Sequence, residues 1–240
     1  MSDVPDVGRP VYHRPWSLAG ILDLLMLLLS VALLGWLLSI VIEWSGIALG
    51  WWAEPGARHA EHLLANELYW LGRDFLRADT TDRVLIWANE GRRAAFRYSG
   101  HEMLLGWLLS PQPASFVALE SLRTVMLRFG EYLLASAYIS QLVGVRLAVT
   151  VLSLPAFVLM GVMGVIDGLV RRDLRRFGGG AESGFLYHHL KKFLRPMIWL
   201  PIVVYLASPW SLHPTLVFVP PALTLGFVLR QTVARFKKYL

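Results

Sequence analysis

Cysteine is absent from all 240 residues. That excludes disulfides, thiolate metal sites and cysteine nucleophiles, and it is compatible with an oxidising compartment without requiring one. Charge is scarce too: Asp, Glu, Lys and Arg make up 17% of the chain, against about 25% in ordinary soluble domains. Alternating strand patterns are weak everywhere. The three consecutive glycines 178–180 are followed by Ala181 and Glu182 and not by Lys and Ser or Thr, so the phosphate-cradling GxxxxGK[ST] loop is missing. No preceding strand supports a dinucleotide fingerprint, and no GxSxG nucleophile turn occurs. Nucleotide hydrolysis, dinucleotide redox chemistry and serine hydrolysis therefore lack their usual carriers. No enzymatic activity, cofactor or metal is expected.

Apolar residues are what the chain has in abundance: 55% of the total, including ten tryptophans, with a mean hydropathy of +0.50. They are gathered into blocks. Residues 21–42, ILDLLMLLLSVALLGWLLSIVI, would extend about 33 Å as a helix, enough for a ~30 Å hydrocarbon core. The block is longer than the roughly 7–15 residue core of a cleaved signal peptide, so it reads as a retained anchor. Leu147–Ile166 is a second block without a charge, and Pro155 within it frees a carbonyl that Ser153, water or a neighbouring helix must satisfy. PMIWLPIVVYLASPW (196–210) and TLVFVPPALTLGFVL (215–229) form a short pair read as a helical hairpin, either spanning or re-entrant. The expected fold is an all-α integral membrane protein with four transmembrane helices and a helical extracytoplasmic domain between the first two.

Thirteen of the 23 Lys and Arg residues lie in three short flanks: Arg9 and Arg14; the run from Arg171 to Arg195; and Arg230 to Lys238. Basic residues in short flanks stay cytoplasmic, and four spans return the chain to its starting side. The expected organisation is a cytoplasmic segment 1–20, a span 21–42, a helical periplasmic domain 43–141, and a span 142–170. A basic cytoplasmic loop 171–195, a short transmembrane hairpin 196–230 and a basic cytoplasmic tail 231–240 complete it. Both termini then face the cytoplasm of a bacterial inner membrane.

Within the outer segment, ARHAEHLLANELYWLGRDFLRA (57–78) places Leu64, Leu68, Leu71 and Phe75 at helical spacing, with Glu61, Glu67, Arg73 and Asp74 elsewhere on the wheel. A second helix follows, with its N-cap at Thr80 or Thr81. From Ala114 to Phe177 no strong breaker interrupts a helical pattern, so the outer domain is expected to be welded to the second span. Pro155, Gly161 and Gly164 mark where that helix would bend or pack closely against a neighbour.

The segment RRDLRRFGGGAESGFLYHH (171–189) holds the densest chemistry. Its glycines read as the end of a helix leaving the membrane. His188 and His189 point about 100° apart on a helix and cannot act as an i, i+4 metal pair. His59 and His62, at i, i+3 beside Glu61, are a better-spaced pair but have no third ligand in view, and an ordinary polar face explains them. Asp167 reads either as a proton-relay carboxylate or as an i, i+4 partner of Arg171. Arg171, Arg172, Arg175, Arg176, Lys191, Lys192 and Arg195 are the candidate surface for a protein partner or anionic lipid.

The DGLVRRDLRRF run (167–177), the glycine turn with Glu182 and Ser183, and the YHH of residues 187–189 resemble the integrating conjugative element membrane protein family. Ala181 stands where that family often has a basic residue. The resemblance implies a non-enzymatic inner-membrane component of conjugative DNA transfer through a type IV secretion system. It would act as a scaffold or partner of the coupling ATPase, beside other conjugation membrane proteins. Oligomerisation is allowed but not required, and no sequence-specific contact with nucleic acid is expected. A small membrane transporter or channel subunit is the alternative class.

Overall fold

The computed structural model describes residues 18–73, 78–110, 116–177 and 184–235. Among them every regular element is an α-helix: α1 (Leu18–Leu49), α2 (Arg58–Arg73), α3 (Ala78–Tyr98), α4 (His101–Leu108), α5 (Val117–Arg128), α6 (Gly130–Phe177), α7 (Gly184–Ala207) and α8 (Pro214–Ala234). The 48-residue α6 is the mast of the molecule, about 72 Å long at ~1.5 Å per residue. All the other long helices pack against it. α1 runs antiparallel to it: the Trp36 indole donates to Ser140 Oγ at 2.8 Å, and one end higher the Trp44 indole donates to the Tyr132 carbonyl at 2.9 Å. α8 runs parallel to the far half of α6, with Phe218 against Phe157 and Arg230 against Asp167. α7 and α8 form an antiparallel pair whose turn closes beside Arg146. The start of α1 and the end of α8 therefore point toward the Asp167 end of the bundle.

Three of these helices, not four, are long and apolar enough to cross a membrane: Leu25–Leu49, Gly130–Arg175 and Pro214–Ala234. The expected third span falls short for a physical reason. α7 ends at Ala207, and its N-terminal half carries Lys191, Lys192 and Arg195. The apolar run from Pro196 onward covers only about 18 Å, well under the ~30 Å of a hydrocarbon core. Conversely α8 is longer than the fifteen-residue block suggested, 21 residues opening at Pro214 with His213 Nδ1 accepting from the Thr215 amide.

Two further expectations are revised. The uninterrupted helix from 114 to 177 breaks at Phe129, whose φ of −98° and ψ of 21° leave the helical region just before Gly130. α5 is thus a separate element, while α6 still runs from beside α2, α3 and α4 to the Arg171 end without a break. α3 is already helical at Ala78, so Thr80 and Thr81 lie inside it and not at its cap.

Close backbone approach fixes the helix seams. A Cβ on Gly144 would overlap the Gly91 carbonyl of α3, and one on Gly164 would overlap the Gly226 carbonyl of α8. Glycines here let α6 accept a helix on either side at backbone distance, where dispersion and close packing hold apolar helices together. Gly100, with φ of +81°, makes the turn from α3 into α4 in a region that disfavours every residue with a Cβ.

Candidate functional site

The Asp167 end carries the candidate interaction surface. Asp167, about half exposed, accepts from Arg171 at 3.3 Å in the i, i+4 register read from the sequence, and lies 2.7 Å from Arg230 Nε of α8. Arg230 was not part of the expected cluster; its cross-helix pairing follows from the parallel packing of α8, which one-dimensional spacing cannot reveal. Arg172 is 3.4 Å from its neighbour Asp173. Arg171 is exposed and Arg175 partly so on the last turns of α6, and Lys192 and Arg195 are exposed on α7. The side chains of Arg176, Lys191, His188 and His189, and the glycine turn with Glu182 and Ser183, lie outside the described residues. The edge has more cations than Asp167 and Asp173 can neutralise, and being exposed it is screened by salt over about 10 Å. Pro155 lies inside α6, where Ser153 Oγ donates to Thr150 O and not to the carbonyl that the proline frees. Gly161 meets only Leu229 Cδ1 at an ordinary 3.5 Å, and Gly164 sits in the α8 seam.

The strongest polar construction in the molecule is elsewhere. Arg146, with no exposed surface, stands about a third of the way along α6. Its Nε and Nη2 donate to Glu67 Oε1 at 2.8 and 2.5 Å; Nη1 donates to the Leu206 and Ser208 carbonyls at 3.4 and 2.6 Å; Nη2 also reaches the Trp210 carbonyl at 2.9 Å. All five guanidinium hydrogens are used. Two of those carbonyls belong to the last turn of α7 and the residue after it, which have no intrahelical donor, so Arg146 caps α7 and sits at the negative end of its dipole. Glu67 completes the knot by accepting from the Tyr205 hydroxyl at 3.2 Å. Burial raises the Glu67 carboxyl above its usual range, and the Arg146 charge, its hydrogen bonds and the one from Tyr205 pull in the opposite direction. One arginine thus ties α2, α6 and the α7–α8 turn together.

Sequence reasoning set Glu67 on the polar side of its helix. The signal for burial was present: Glu67 falls four residues after Leu63, three after Leu64 and four before Leu71, all buried. Arg146 likewise stands in phase with buried Leu142, Val143, Val149 and Thr150. A second missed pair joins α1 to α2. Glu43, 1% exposed, lies 2.9 Å from His59 Nδ1, and the His59 ring stacks on Trp52 at 3.9 Å. His62 turns instead to Glu54 at 2.7 Å. The two histidines therefore have separate partners, and among the described residues no group of three or more His, Asp or Glu is arranged to hold a metal.

His101 locks α4 to α6, with Nε2 at 2.8 Å from Ser136 Oγ and Nδ1 at 2.8 Å from Ser99 Oγ. The Ser136 hydroxyl donates to the Leu133 carbonyl and accepts from Nε2–H, and the neutral ring accepts at Nδ1 from the Ser99 hydroxyl, whose competing acceptor is the Phe96 carbonyl at 3.2 Å. Burial lowers this imidazole below its ordinary 6.5. The unfolded chain then binds the proton first as pH falls, so this contribution is complete above about 6.5 and declines below it. Unfolding of the detergent-solubilised protein should become easier from pH 7 to 5, and His101→Gln should flatten that slope; an unchanged slope would mean that other groups set it.

These features define a helical protein of candidate membrane spans, with a buried ionic clasp and a cationic edge at one end. Residues 51–237 match the family model described as IncC plasmid conjugative DNA transfer protein DtrJ-like. The match covers most of the chain, which therefore belongs to that family of conjugative DNA transfer proteins. No curated protein and no solved structure matches. The conjugative character implied by the DGLVRRDLRRF region is thus supported by the comparison, through a plasmid transfer family.

Proposed function

We propose that the chain is a non-enzymatic inner-membrane component of a type IV secretion system for conjugation, acting as a scaffold or partner of the coupling ATPase. The family match supports a role in conjugative transfer. The observation that carries the finer reading is the cationic edge where α6 and α8 meet, beside Asp167, Arg171 and Arg230. Positive flanks favour the cytoplasmic side, which is where a DNA-delivering ATPase and anionic headgroups are available. Kinship to integrating-element proteins belongs to the same proposal. Arg146 does not favour the transporter alternative, because all its donors are consumed by protein groups.

Two measurements test the reading. Because the antiparallel α7–α8 pair turns beside Arg146 and its end returns to Asp167, reporter fusions at Gly179 and Leu240 should both give cytoplasmic signals and a fusion at Asp79 a periplasmic one; a cytoplasmic Asp79 would reverse the orientation. Replacing Arg171, Arg172, Arg175 and Arg176 together by Gln should reduce co-purification with the coupling ATPase, and rising salt should reduce the wild-type association similarly. ATP turnover by the purified protein would contradict the non-enzymatic assignment.

A further inference from the structure

Among the described residues, α5 is the one helix of substantial length in which none is buried by the rest of the protein. It is nevertheless strongly patterned. At about 100° per residue, Leu119, Leu122, Val125, Met126 and Phe129 share an arc of about 120°, whereas Glu120, Ser121, Arg123, Thr124 and Arg128 take the other side together with Val117 and Leu127. The apolar side is bare: Leu122 is 49% exposed, Val125 50% and Phe129 58%. The polar side is the attached one, since Arg123 donates to the Leu108 carbonyl at 3.0 Å and also reaches the Ser110 carbonyl at the end of α4. A helix that gives its charged edge to its own protein and turns its apolar face away has an occupant for that face.

Its position indicates which occupant. Phe129 packs edge-on to Tyr132 at 6.5 Å, and Tyr132 to Trp44 at 6.1 Å. Trp44 stands just past the end of the long apolar run of α1, where tryptophan and tyrosine mark the membrane–water boundary. The other attachment of α5, through α4, leads to His101 and Ser136, one turn along α6 from Tyr132 toward the far end. α5 is thus tethered at both points near the level at which α1 leaves the hydrocarbon.

We propose that α5 lies in the membrane–water interface at the Trp44 end of the bundle, its Leu119–Leu122–Val125–Phe129 face in the acyl boundary and its Thr124–Arg128 face toward water. The balance of a short apolar arc against charged residues is that of an in-plane helix and not of a span. This rests on the membrane reading of α1 and α6, and goes beyond it by assigning an element with no spanning capacity to the lipid surface.

Because the chain has no cysteine, single cysteines can carry an environment-sensitive fluorophore without background. The full chain is reconstituted in phosphatidylethanolamine–phosphatidylglycerol vesicles with labels at Leu122→Cys, Val125→Cys, Thr124→Cys and, as a reporter of α1, Leu34→Cys. All four positions are exposed, so folding tolerates them. Labels at 122 and 125 should be quenched by nitroxide-bearing lipid and protected from iodide, and the label at 124 should show the reverse. Iodide access at 122 and 125 overturns the proposal, as does shielding from both quenchers, which would mean that a protein covers the face. Lipid quenching at 34 accompanying either of those results confines the failure to α5; iodide access at 34 as well would remove the membrane reading itself.

Discussion

Arg146→Met is expected to destabilise the protein by about 3–5 kcal/mol, the range for removing one partner of a buried ion pair. The substitution retains the aliphatic stem but strands Glu67, which is 4% exposed, and withdraws five hydrogen bonds at once. Glu67→Leu alone should be comparably harmful, because it leaves a guanidinium in the same buried position. The double variant should recover part of the loss, since two apolar side chains need no mutual charge. Recovery stays incomplete because the Leu206, Ser208 and Trp210 carbonyls remain without their donor. Unfolding of the four proteins in one detergent, analysed as a double-mutant cycle, gives the coupling directly. Strict additivity would mean that the pair is not the clasp described, and that α7 is capped by something else.

The second large effect lies at the α6–α8 seam and separates two glycines three residues apart. Gly164→Ala should cost about 1–3 kcal/mol, because its new Cβ meets the rigid Gly226 backbone and cannot be accommodated by a rotamer change. Gly161→Ala should be neutral, or stabilise by up to about 1 kcal/mol through helix propensity, because the atom it approaches is a leucine methyl at 3.5 Å. Gly164→Leu should abolish assembly of the α7–α8 pair and DNA transfer together. Assembly retained with transfer lost would instead support a mechanical role for α6. Equal behaviour of the two alanine variants in unfolding experiments would contradict the seam.

What the sequence disclosed follows from the range of the interactions concerned. The first span is uninterrupted by charge once past Asp23, so length alone identifies it, and the Asp167–Arg171 pair lies on one helix at i, i+4. Local order was therefore readable. The break at Phe129 was not, because Gly130 sits among good helix formers and the helix ends through backbone geometry rather than a Pro signal. The short apolar run of α7 was visible in the 15-residue block, and the cations inside the same helix are what limit it. In one dimension Arg146 merely borders the apolar block Leu147–Ile166. Its partners stand 60 to 79 positions away, and only the phase of Glu67 among leucines hinted that a carboxylate was buried opposite. The cationic edge was legible as composition, whereas Arg230 joined it only through the three-dimensional register of α8.

The central claim, a membrane component needed for conjugative transfer, is tested most directly by transfer frequency from donor cells whose own copy of this gene has been deleted in frame. Deletion should abolish or greatly reduce transfer, and the wild-type chain supplied separately, recovered in the inner-membrane fraction, should restore it. The variant with Arg171, Arg172, Arg175 and Arg176 replaced by Gln should reach the membrane at the same level without restoring transfer. Undiminished transfer after deletion, or restoration by a chain found only in the soluble fraction, would contradict the account.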